Sequence, residues 1–535
     1  MPGRVVIQWD KDDCADLGII KVDLLGLGML NALERAIPMI RDNEGINVDL
    51  AHLPQDDPLV YKMLNEADTV GVFQVESRAQ MATLPKNAPR VFYDLVVQVA
   101  IIRPGPIVGG MVRPFFARRQ GKQPVEYAHP CLEPILKRTL GVPLFQEQLL
   151  RMAMVAAGFT GGEAEELRRA MGFKRSMERM VDIEQRLRRG MEKNGIGAAA
   201  QEQIVKSITS FALYGFPESH AASFALIAYA SAYIRAYHPA AFCACLLNAW
   251  PMGFYHPASI IKDAQRHGVD VRPIDVTRSG WECRWEDGAI RMGLRFVKGL
   301  REVTGRLIEN EQGQAPFRSV EDLSRRCNLR QDQLTRLAYA GTLAEFGLTR
   351  RAAIWQADKV ARRAGPLLEE IADLETGRQA PRRSALHAPG TASPLPEMTA
   401  FQETLADYGS MDITTGPHLV EHLRRELREE GVLTAAQLCQ TANGTRVMTA
   451  GAVIVRQRPG TAKGFVFLTL EDETGMSQAI IKPDLFRDNR ALIVGSAGLV
   501  VQGILQNEGT GQCSIRAEHF WPLRNFAPVP SHDFH

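Results

Sequence analysis

The sequence has no C-x-x-C pair. Its eight cysteines (Cys14, Cys131, Cys243, Cys245, Cys283, Cys327, Cys439 and Cys513) are scattered. That argues against a zinc site or a disulfide framework and fits a reducing cytoplasm. Cys243-Ala-Cys245 lies in an apolar helical stretch and reads as buried packing. Net charge is also scarce, +2 over 535 residues. Affinity for a polyanion therefore has to come from cations gathered on one face. The opening MPGRVVIQWDKDD has no apolar h-region, so no secretory signal is expected. One long apolar stretch, residues 221–250, is interrupted by Arg235, His238 and Pro239 and is rich in Ala, Ser and Tyr. It reads as a buried helix and not as a membrane span. What remains is an ordinary globular composition, 45% hydrophobic and 23% charged, in a chain long enough for several domains.

Against that background the stretch Lys21-Val22-Asp23-Leu24-Leu25-Gly26-Leu27 stands out. Read as a strand from Ile19 to Leu25, it sends Lys21 and Asp23 to one face and Ile20, Val22 and Leu24 to the other. An Asp/Lys front on an apolar back suits a metal carboxylate beside a phosphate-neutralising cation, but the heptapeptide alone favours an exposed face with two ordinary charges. A turn at Gly26 and Gly28 leads into a helix over Met29–Arg41, and the pattern stays mainly helical to about residue 250. Residues 103–206 hold 18 Lys/Arg against 11 Asp/Glu, a local excess of +7 that a polyanion substrate would require.

Three segments in this region carry candidate chemistry. In Gly162–Arg175, Arg168, Arg169, Lys174 and Arg175 crowd the end of a helix that Gly172 terminates. Glu165 and Arg169 at i,i+4 would give a solvated ion-paired face; clustered guanidinium groups would equally grip phosphate oxygens bidentately. In Tyr214–Leu226, Ser219 is a plausible N-cap, and the helix start would present His220 and unpaired N–H groups to an anion. Tyr229, Tyr233 and Tyr237 follow at helical spacing, which favours core packing over a stacking platform. The run Val142-Pro143-Leu144-Phe145-Gln146-Glu147-Gln148 has no self-evident chemistry.

Further on, residues 271–356 read as two helical units with Gly turns at Val297-Lys298-Gly299-Leu300 and Ala340-Gly341-Thr342-Leu343. Residues 357–400, rich in Ala, Pro and Arg, read as a linker, and a short helix is expected near 418–430. Period-2 alternation then marks five strands: Arg446–Arg456, Gly464–Leu470, Ser477–Ile481, Gly498–Leu505 and Gln512–Ala517. Five short strands with Gly turns suggest an oligonucleotide-binding (OB) barrel.

In order, IIKVDLLGLGML, GVFQVESR (71–78), IIRPGP (101–106), LFQEQ (144–148), LRRAMGFK (167–174) and YGFPESHAASFAL (214–226) resemble the bacterial C-family DNA polymerases, the polymerase III alpha-subunit family. Pro217-Glu218-Ser219-His220, where replicative members usually have Asn-Lys-Ser-His, resembles the error-prone branch. So do Pro251-Met252-Gly253-Phe254-Tyr255 and the closing Asp533-Phe534-His535.

The resemblance implies roles. Asp23 matches the third of three palm aspartates that hold two Mg²⁺ ions for nucleotidyl transfer. Lys21 matches a lysine near the incoming triphosphate, and Arg168, Arg169 and Lys174 match fingers cations that grip it. Ser219 and His220 match positions that contact the incoming nucleotide. The paired hairpins (Lys298, Gly299, Arg301, Gly341) would hold duplex phosphates, although Gly299-Leu300-Arg301 departs from the family's Gly-x-Gly turn. Arg456, Arg458, Phe465 and Phe467 would line a single-strand path in the barrel, or in part form its core.

The family's other two aspartates, a D-x-D strand motif, have no good counterpart here; Asp10-Lys11-Asp12 is a poor substitute. The chain therefore resembles a C-terminal half. No clamp-binding peptide is evident in 357–420, which fits sliding-clamp access through an accessory mutagenesis protein.

The expected fold is thus α+β and multidomain: a palm remnant (1–28), mainly helical fingers (29–270), tandem helix-hairpin-helix (271–356), a linker with a short helical region (357–444) and an OB-fold (445–525). The expected function is cytoplasmic, error-prone, DNA-directed DNA polymerisation in damage-induced mutagenesis, with dNTPs and primer–template DNA as substrates and no membrane contact. The alternative is an inactive fragment that grips primer–template DNA.

Overall fold

A computed structural model describes residues 8–9, 11–20, 24–103, 106–107, 109–172, 177–211, 216–361, 393–394, 396–507, 509, 513–524, 526 and 532–534. Lys21, Asp23, Lys174 and most of the expected linker lie outside the described residues. The chain divides into two compact units, Met1–Leu33 with Asp49–Ala236, and Glu34–Val48 with Tyr237–His535.

Among the described residues, the first unit is helical and carries no β-strand. The strand expected at Ile19–Leu25 is therefore not seen on either side of 21–23. Ile19 and Ile20 are irregular, Leu25 is in a turn, and Ile20 and Leu24 are 85% and 67% exposed. A strand needs neighbours for its backbone donors and acceptors, and this unit describes none. The helix expected from Met29 runs Leu27–Glu44, with Pro38 inside it.

Local signals account for the other helices. Thr160 and Glu163 cap Gly161–Gly172 reciprocally: the Thr160 N–H donates to Glu163 Oε2 (2.8 Å) and the Glu163 N–H to Thr160 Oγ1 (3.3 Å). Met177–Lys193 buries Ile183, Leu187 and Met191 at i, i+4 and i+8. Its Gly190 meets the end of Gln146–Ala157 so closely that a Cβ would lie 2.8 Å from the Ala157 carbonyl carbon. Only glycine permits that approach.

In the second unit, Pro239–Asn248 is apolar all round and buried from Ala240 onward, Cys243 and Cys245 included. A small sheet follows, β1 (Val271–Arg272), β2 (Arg284–Glu286) and β3 (Ala289–Arg291), in the order β1-β3-β2. Gly turns at Gly299 (φ +75°) and Gly341 (φ +76°) then punctuate the helices Glu302–Gln314, Val320–Arg326, Gln331–Tyr339 and Arg350–Ala361. Within the stretch expected to be a linker and short helical region, Ala400–Met411 forms a further helix, capped by Thr399 with Gln402.

The C-terminal barrel has strands β4 (Arg446–Gln457), β5 (Val466–Asp472), β6 (Gly475–Ile481), β7 (Gly498–Asn507) and β8 (Cys513–Pro522). Each expected strand is present within a few residues. Pairing closes in the order β4-β5-β6-β8-β7-β4, with β6 and β8 parallel and the other neighbours antiparallel. That is a five-stranded OB-type closure. Val453, Leu468, Ile481, Val501, Leu505 and Ile515 fill its centre. Between β7 and β8, Gly503 sits at a register shift where a Cβ would lie 2.8 Å from the Arg516 carbonyl carbon. A last strand, β9 (His532–Phe534), runs parallel to β4.

Candidate functional site

The helix Glu218–Tyr237 organises the first unit's candidate site. Its start differs from the expected one. Helical bonding begins with the Ala221 N–H on the Pro217 carbonyl (3.1 Å), so exposed Ser219 lies in the first turn and is not the N-cap. A proline before the helix has no capping hydroxyl. The cap comes from another segment: Glu147 Oε2 accepts the Glu218 N–H at 2.9 Å.

Five of the six sequence motifs meet around this helix. Gly26 (φ +95°) approaches Phe73 and Ile227, and a Cβ there would touch Phe73 Cζ at 3.4 Å. Phe73 packs edge-on against Phe224 (5.4 Å), and its N–H donates to Ser231 Oγ (3.1 Å). The Arg103 guanidinium lies 3.8 Å over the Phe216 ring. The Gln146 N–H donates to the Phe216 carbonyl at 3.1 Å. His220 lies between Phe216 (5.3 Å, edge-on) and Phe224 (4.2 Å, tilted).

Charge at the helix start is compensated locally. The Tyr93 hydroxyl donates to Glu218 Oε1 (2.8 Å), with the Arg138 guanidinium 3.4 Å over the Tyr93 ring and 3.7 Å from the same carboxylate. Burial, reinforced by Glu218, raises the Tyr93 phenol above its ordinary range, so it stays a donor. Burial likewise pulls the Arg103 guanidinium below its ordinary value. The result is a ring of apolar and cationic groups beside His220.

The sixth motif lies on Gly161–Gly172, which packs on Gln146–Ala157. Glu165 pairs with Arg168, whose Nε and Nη2 donate to its two oxygens at 2.8 and 2.6 Å. The i,i+3 spacing supports this fork as well as i,i+4 does. Arg186 holds Glu163 (2.7 Å) and Glu166 (3.0 Å), and Glu163 is pulled down to about 2 by its Thr160 and Arg186 bonds. Arg169 is on the same helix, but its side chain lies outside the described residues, as does Lys174. A phosphate that reaches Arg168 therefore competes with Glu165.

For metal ions, Asp23 and Asp10 lie outside the described residues, and Lys11 and Asp12 begin the helix Lys11–Asp16. Among the described residues, the first unit by itself gathers no group of three carboxylate, histidine or cysteine ligands. A two-metal site needs several shared carboxylates. The described donor set does not supply them.

In the second unit, Lys298 is engaged by its own chain: its Nζ donates to the Tyr408 and Gly409 carbonyls (3.1 and 3.2 Å) and pairs with Asp412 (2.6 Å). Exposed Arg336 packs against Gly299 and donates to the Lys298 carbonyl (3.1 Å), while Arg301 is exposed. The Gly341 N–H bonds to the Ala338 carbonyl (3.0 Å), and Arg350, paired with Asp407 (2.7 Å), closes over that turn.

In the barrel, the Arg456 guanidinium donates to the Ile493 and Ser496 carbonyls (2.9 and 2.6 Å). Arg458 is exposed on the β4–β5 loop, 5.8 Å from the Phe486 ring. Phe465 and Phe467 are half-buried, with Phe467 opposite Ile480 on β6. The strand 2–3 face and the 1–2 and 4–5 connections are the usual oligonucleotide face of this fold; here they are β5–β6 and the β4–β5 and β7–β8 connections.

Comparison with known proteins matches residues 29–195 to the bacterial DNA polymerase III alpha subunit finger domain and residues 268–353 to a helix-hairpin-helix motif. The whole chain aligns at 45% identity with an error-prone DNA polymerase of Anaeromyxobacter dehalogenans, covering 47% of it. Proteins of the same name from Alkalilimnicola ehrlichii (46% identity, 51% covered) and Nocardia farcinica (47%, 46% covered) also align over the whole chain. The chain belongs to the polymerase III alpha-subunit family. It spans about half the length of the curated relatives it matches.

Seen as part of that family, the site includes groups that sequence reasoning missed: Glu147, Gln148, Tyr93 and Arg138. Gln148 Oε1 accepts from the Leu144 and Phe145 N–H groups (2.8 and 3.1 Å), and its Nε2 donates to Thr139 Oγ1 and the Ile135 carbonyl (2.9 and 3.2 Å). LFQEQ thus positions a helix start, and that start carries the cap for the next motif. A Gln three residues after Phe145, ahead of an apolar run, was the one local signal. Among the described residues, no helix is long and apolar enough to cross a membrane.

Proposed function

We propose that this chain is the part of an error-prone C-family DNA polymerase that grips the incoming dNTP and the primer–template, acting in damage-induced mutagenesis and translesion synthesis in the cytoplasm. The domain assignment is that of the sequence reading: palm remnant 1–28, fingers 29–270, hairpins 271–356, linker and short helices 357–444, OB-fold 445–525. In this reading Lys21, Arg168, Arg169 and Lys174 meet the triphosphate, Ser219 and His220 the nucleotide, and Lys298, Gly299 and Arg301 the duplex. The template strand runs along the barrel loops near Arg458, Phe465 and Phe467. Asp23 is one ligand of a site for two Mg²⁺ ions, and a sliding clamp is reached through an accessory protein. The observation that carries the reading is the convergence of Gly26, Phe73, Arg103, Gln146, Glu147 and His220 on one helix start.

A second reading, a DNA-gripping chain without its own catalysis, is favoured by the donor set. Among the described residues the first unit by itself gathers no group of three metal-ligand side chains, and Arg168 is already held by Glu165. The two readings separate in one assay. With Mg²⁺ and all four dNTPs, the chain alone is expected to leave a primer unextended, and extension abolished by Asp23→Ala would overturn the second reading. Both readings require salt-sensitive binding to primer–template. With roughly four phosphate contacts, affinity should fall about 100-fold between about 50 and about 200 mM salt. A flat response would refute both.

A further inference from the structure

In the barrel unit, Cys439 Sγ and Cys513 Sγ lie 3.1 Å apart, although 74 positions separate them in sequence. That is closer than the roughly 3.5–4.0 Å at which heavy atoms pack by dispersion, and about 1 Å from S–S bonding distance. The two sulfurs differ in access: Cys439 is exposed, near the end of the helix Ala435–Gln440, whereas Cys513 is buried at the first residue of β8.

Their place in the barrel is specific. The segment after Cys439 is already stitched to the far end of the β7–β8 loop. Asn507, the last residue of β7, donates from Nδ2 to the Cys439 and Thr441 carbonyls (2.9 and 3.0 Å), and its N–H donates to Asn443 Oδ1 (3.0 Å). The Gly444 N–H bonds to the Leu505 carbonyl (2.9 Å). One foot of the loop is thus held by hydrogen bonds to residues 439–444, and the other foot is where Cys513 meets Cys439.

We propose that Cys439 and Cys513 form a peroxide-responsive dithiol/disulfide pair that staples the base of the β7–β8 loop. The exposed Cys439 sulfur, as thiolate, attacks one oxygen of a hydroperoxide. The O–O bond breaks, a hydroxyl stays on sulfur as the sulfenic acid, and for hydrogen peroxide the other oxygen leaves as water after taking a proton. The Cys513 sulfur then attacks Cys439 Sγ. The S–O bond breaks, the second water leaves with the Cys513 proton, and the S–S bond forms. Two thiols are oxidised and one peroxide is reduced to two waters. In a reducing compartment the pair rests as two thiols, and thiol exchange with a small dithiol returns it.

Four of the six other cysteines are poor competitors for peroxide, Cys14 and Cys131 being partly exposed. Cys245, Cys283 and Cys327 are buried, and burial pushes each thiol up to about 12, so little thiolate is present near neutral pH. Cys243 is buried as well.

The test treats the full chain with graded hydrogen peroxide, alkylates remaining thiols under denaturing conditions, and maps peptides by mass without reduction. The expected product is a linked pair of peptides carrying Cys439 and Cys513, two hydrogens lighter than their sum and returned to thiols by dithiothreitol. In Cys439→Ser, an exposed change, Cys513 should stay alkylatable at the same peroxide dose. In Cys513→Ser, Cys439 should accumulate as a sulfenic acid captured by dimedone. Oxidation of Cys439 in the parent chain to sulfinic or sulfonic acid, or linkage between two chains without the 439–513 peptide, would overturn the proposal. The disulfide readout is independent of any polymerase reading.

Discussion

Replacing Gln148 with leucine tests whether LFQEQ acts as a backbone brace. Gln148 is 5% exposed, and Leu144 and Phe145, whose N–H groups it accepts, are fully buried. Leucine fills a similar volume, so packing changes little. What is lost is four hydrogen bonds, two of them from buried backbone donors. An orphaned buried N–H costs about 1–3 kcal/mol, whereas Thr139 Oγ1 only loses a donor to it and keeps its own bond to the Leu136 carbonyl. Two orphans less about 1 kcal/mol of gained apolar burial leave a net loss of about 3 kcal/mol. At about 1.4 kcal/mol per tenfold, protection of the 140–150 backbone against amide exchange should fall about 100-fold.

Five of the chain's six tryptophans lie outside the first unit, so fluorescence would report the wrong region. Hydrogen exchange read by mass spectrometry on peptides spanning 139–150 and 216–224 is the suitable assay. Both peptides should open, because Gln146 and Glu147 tie the brace to Phe216 and Glu218. Gln146→Ala, whose side chain makes none of these bonds, serves as the control and should change exchange less than about threefold. Equal protection in Gln148→Leu and the parent chain would refute the brace.

Three further outcomes follow from the geometry. Glu147→Ala should loosen the first turn of Glu218–Tyr237 by about 1 kcal/mol, as lost caps do, while Glu147→Gln retains an acceptor and most of the protection; equal loss in both would refute capping by the oxygen. Gly503→Ala places a methyl 2.8 Å from the Arg516 carbonyl carbon and 2.9 Å from Ile515 Cγ2, between two strands that cannot both yield. It should cost the barrel about 2–3 kcal/mol in thermal unfolding, and a change under about 0.5 kcal/mol would contradict the packing. Lys262, buried among Glu471, Arg266, Glu421 and Asp407, has its pKa lowered to about 8 by burial. Between pH 8 and the ordinary lysine value the unfolded chain binds more protons than the folded one, so this group's penalty is full below 8 and fades as pH rises. The stability gap between Lys262→Met and the parent, read from urea midpoints, should therefore move in the parent's favour from pH 8 to 10; a pH-independent gap would refute it.

Legibility in the sequence tracked how local the cause was. The barrel strands were readable because alternation such as that in Val466–Leu470 reports directly which side chains face a core, here Val466, Leu468 and Leu470. The hairpin turns were readable because Gly299 and Gly341 mark left-handed backbone. The helix Ala400–Met411 was hidden by its Pro- and Ala-rich surroundings, yet Thr399 and Gln402 form a capping box that could have found it. The cap on Glu218 was not readable at all. It comes from a carboxylate 71 residues away, and no local pattern encodes a contact at that separation. Ser219 was misplaced for the same reason: a good capping residue sat next to a helix start that another segment caps.

The same reasoning decides between the two hairpins as duplex contacts. A phosphate at the Gly341 turn would need an N–H that already bonds Ala338, and it would have to displace the Arg350–Asp407 pair, both side chains only about an eighth exposed. Breaking a buried ion pair by removing one partner costs about 3–5 kcal/mol, more than one charge-assisted hydrogen bond returns at about 1.5–3 kcal/mol. Arg350 therefore stays, and Gly341 acts as a packing turn under the helix Ala400–Met411. At the first hairpin the balance runs the other way. Arg301 and Arg336 are exposed beside Gly299, and a phosphate there would disturb only the hydrogen bond from Arg336 to the Lys298 carbonyl. On the proposed reading, duplex contact by the hairpins would therefore fall at Gly299 and not at Gly341, with Arg301 and Arg336 as the exposed cations beside it.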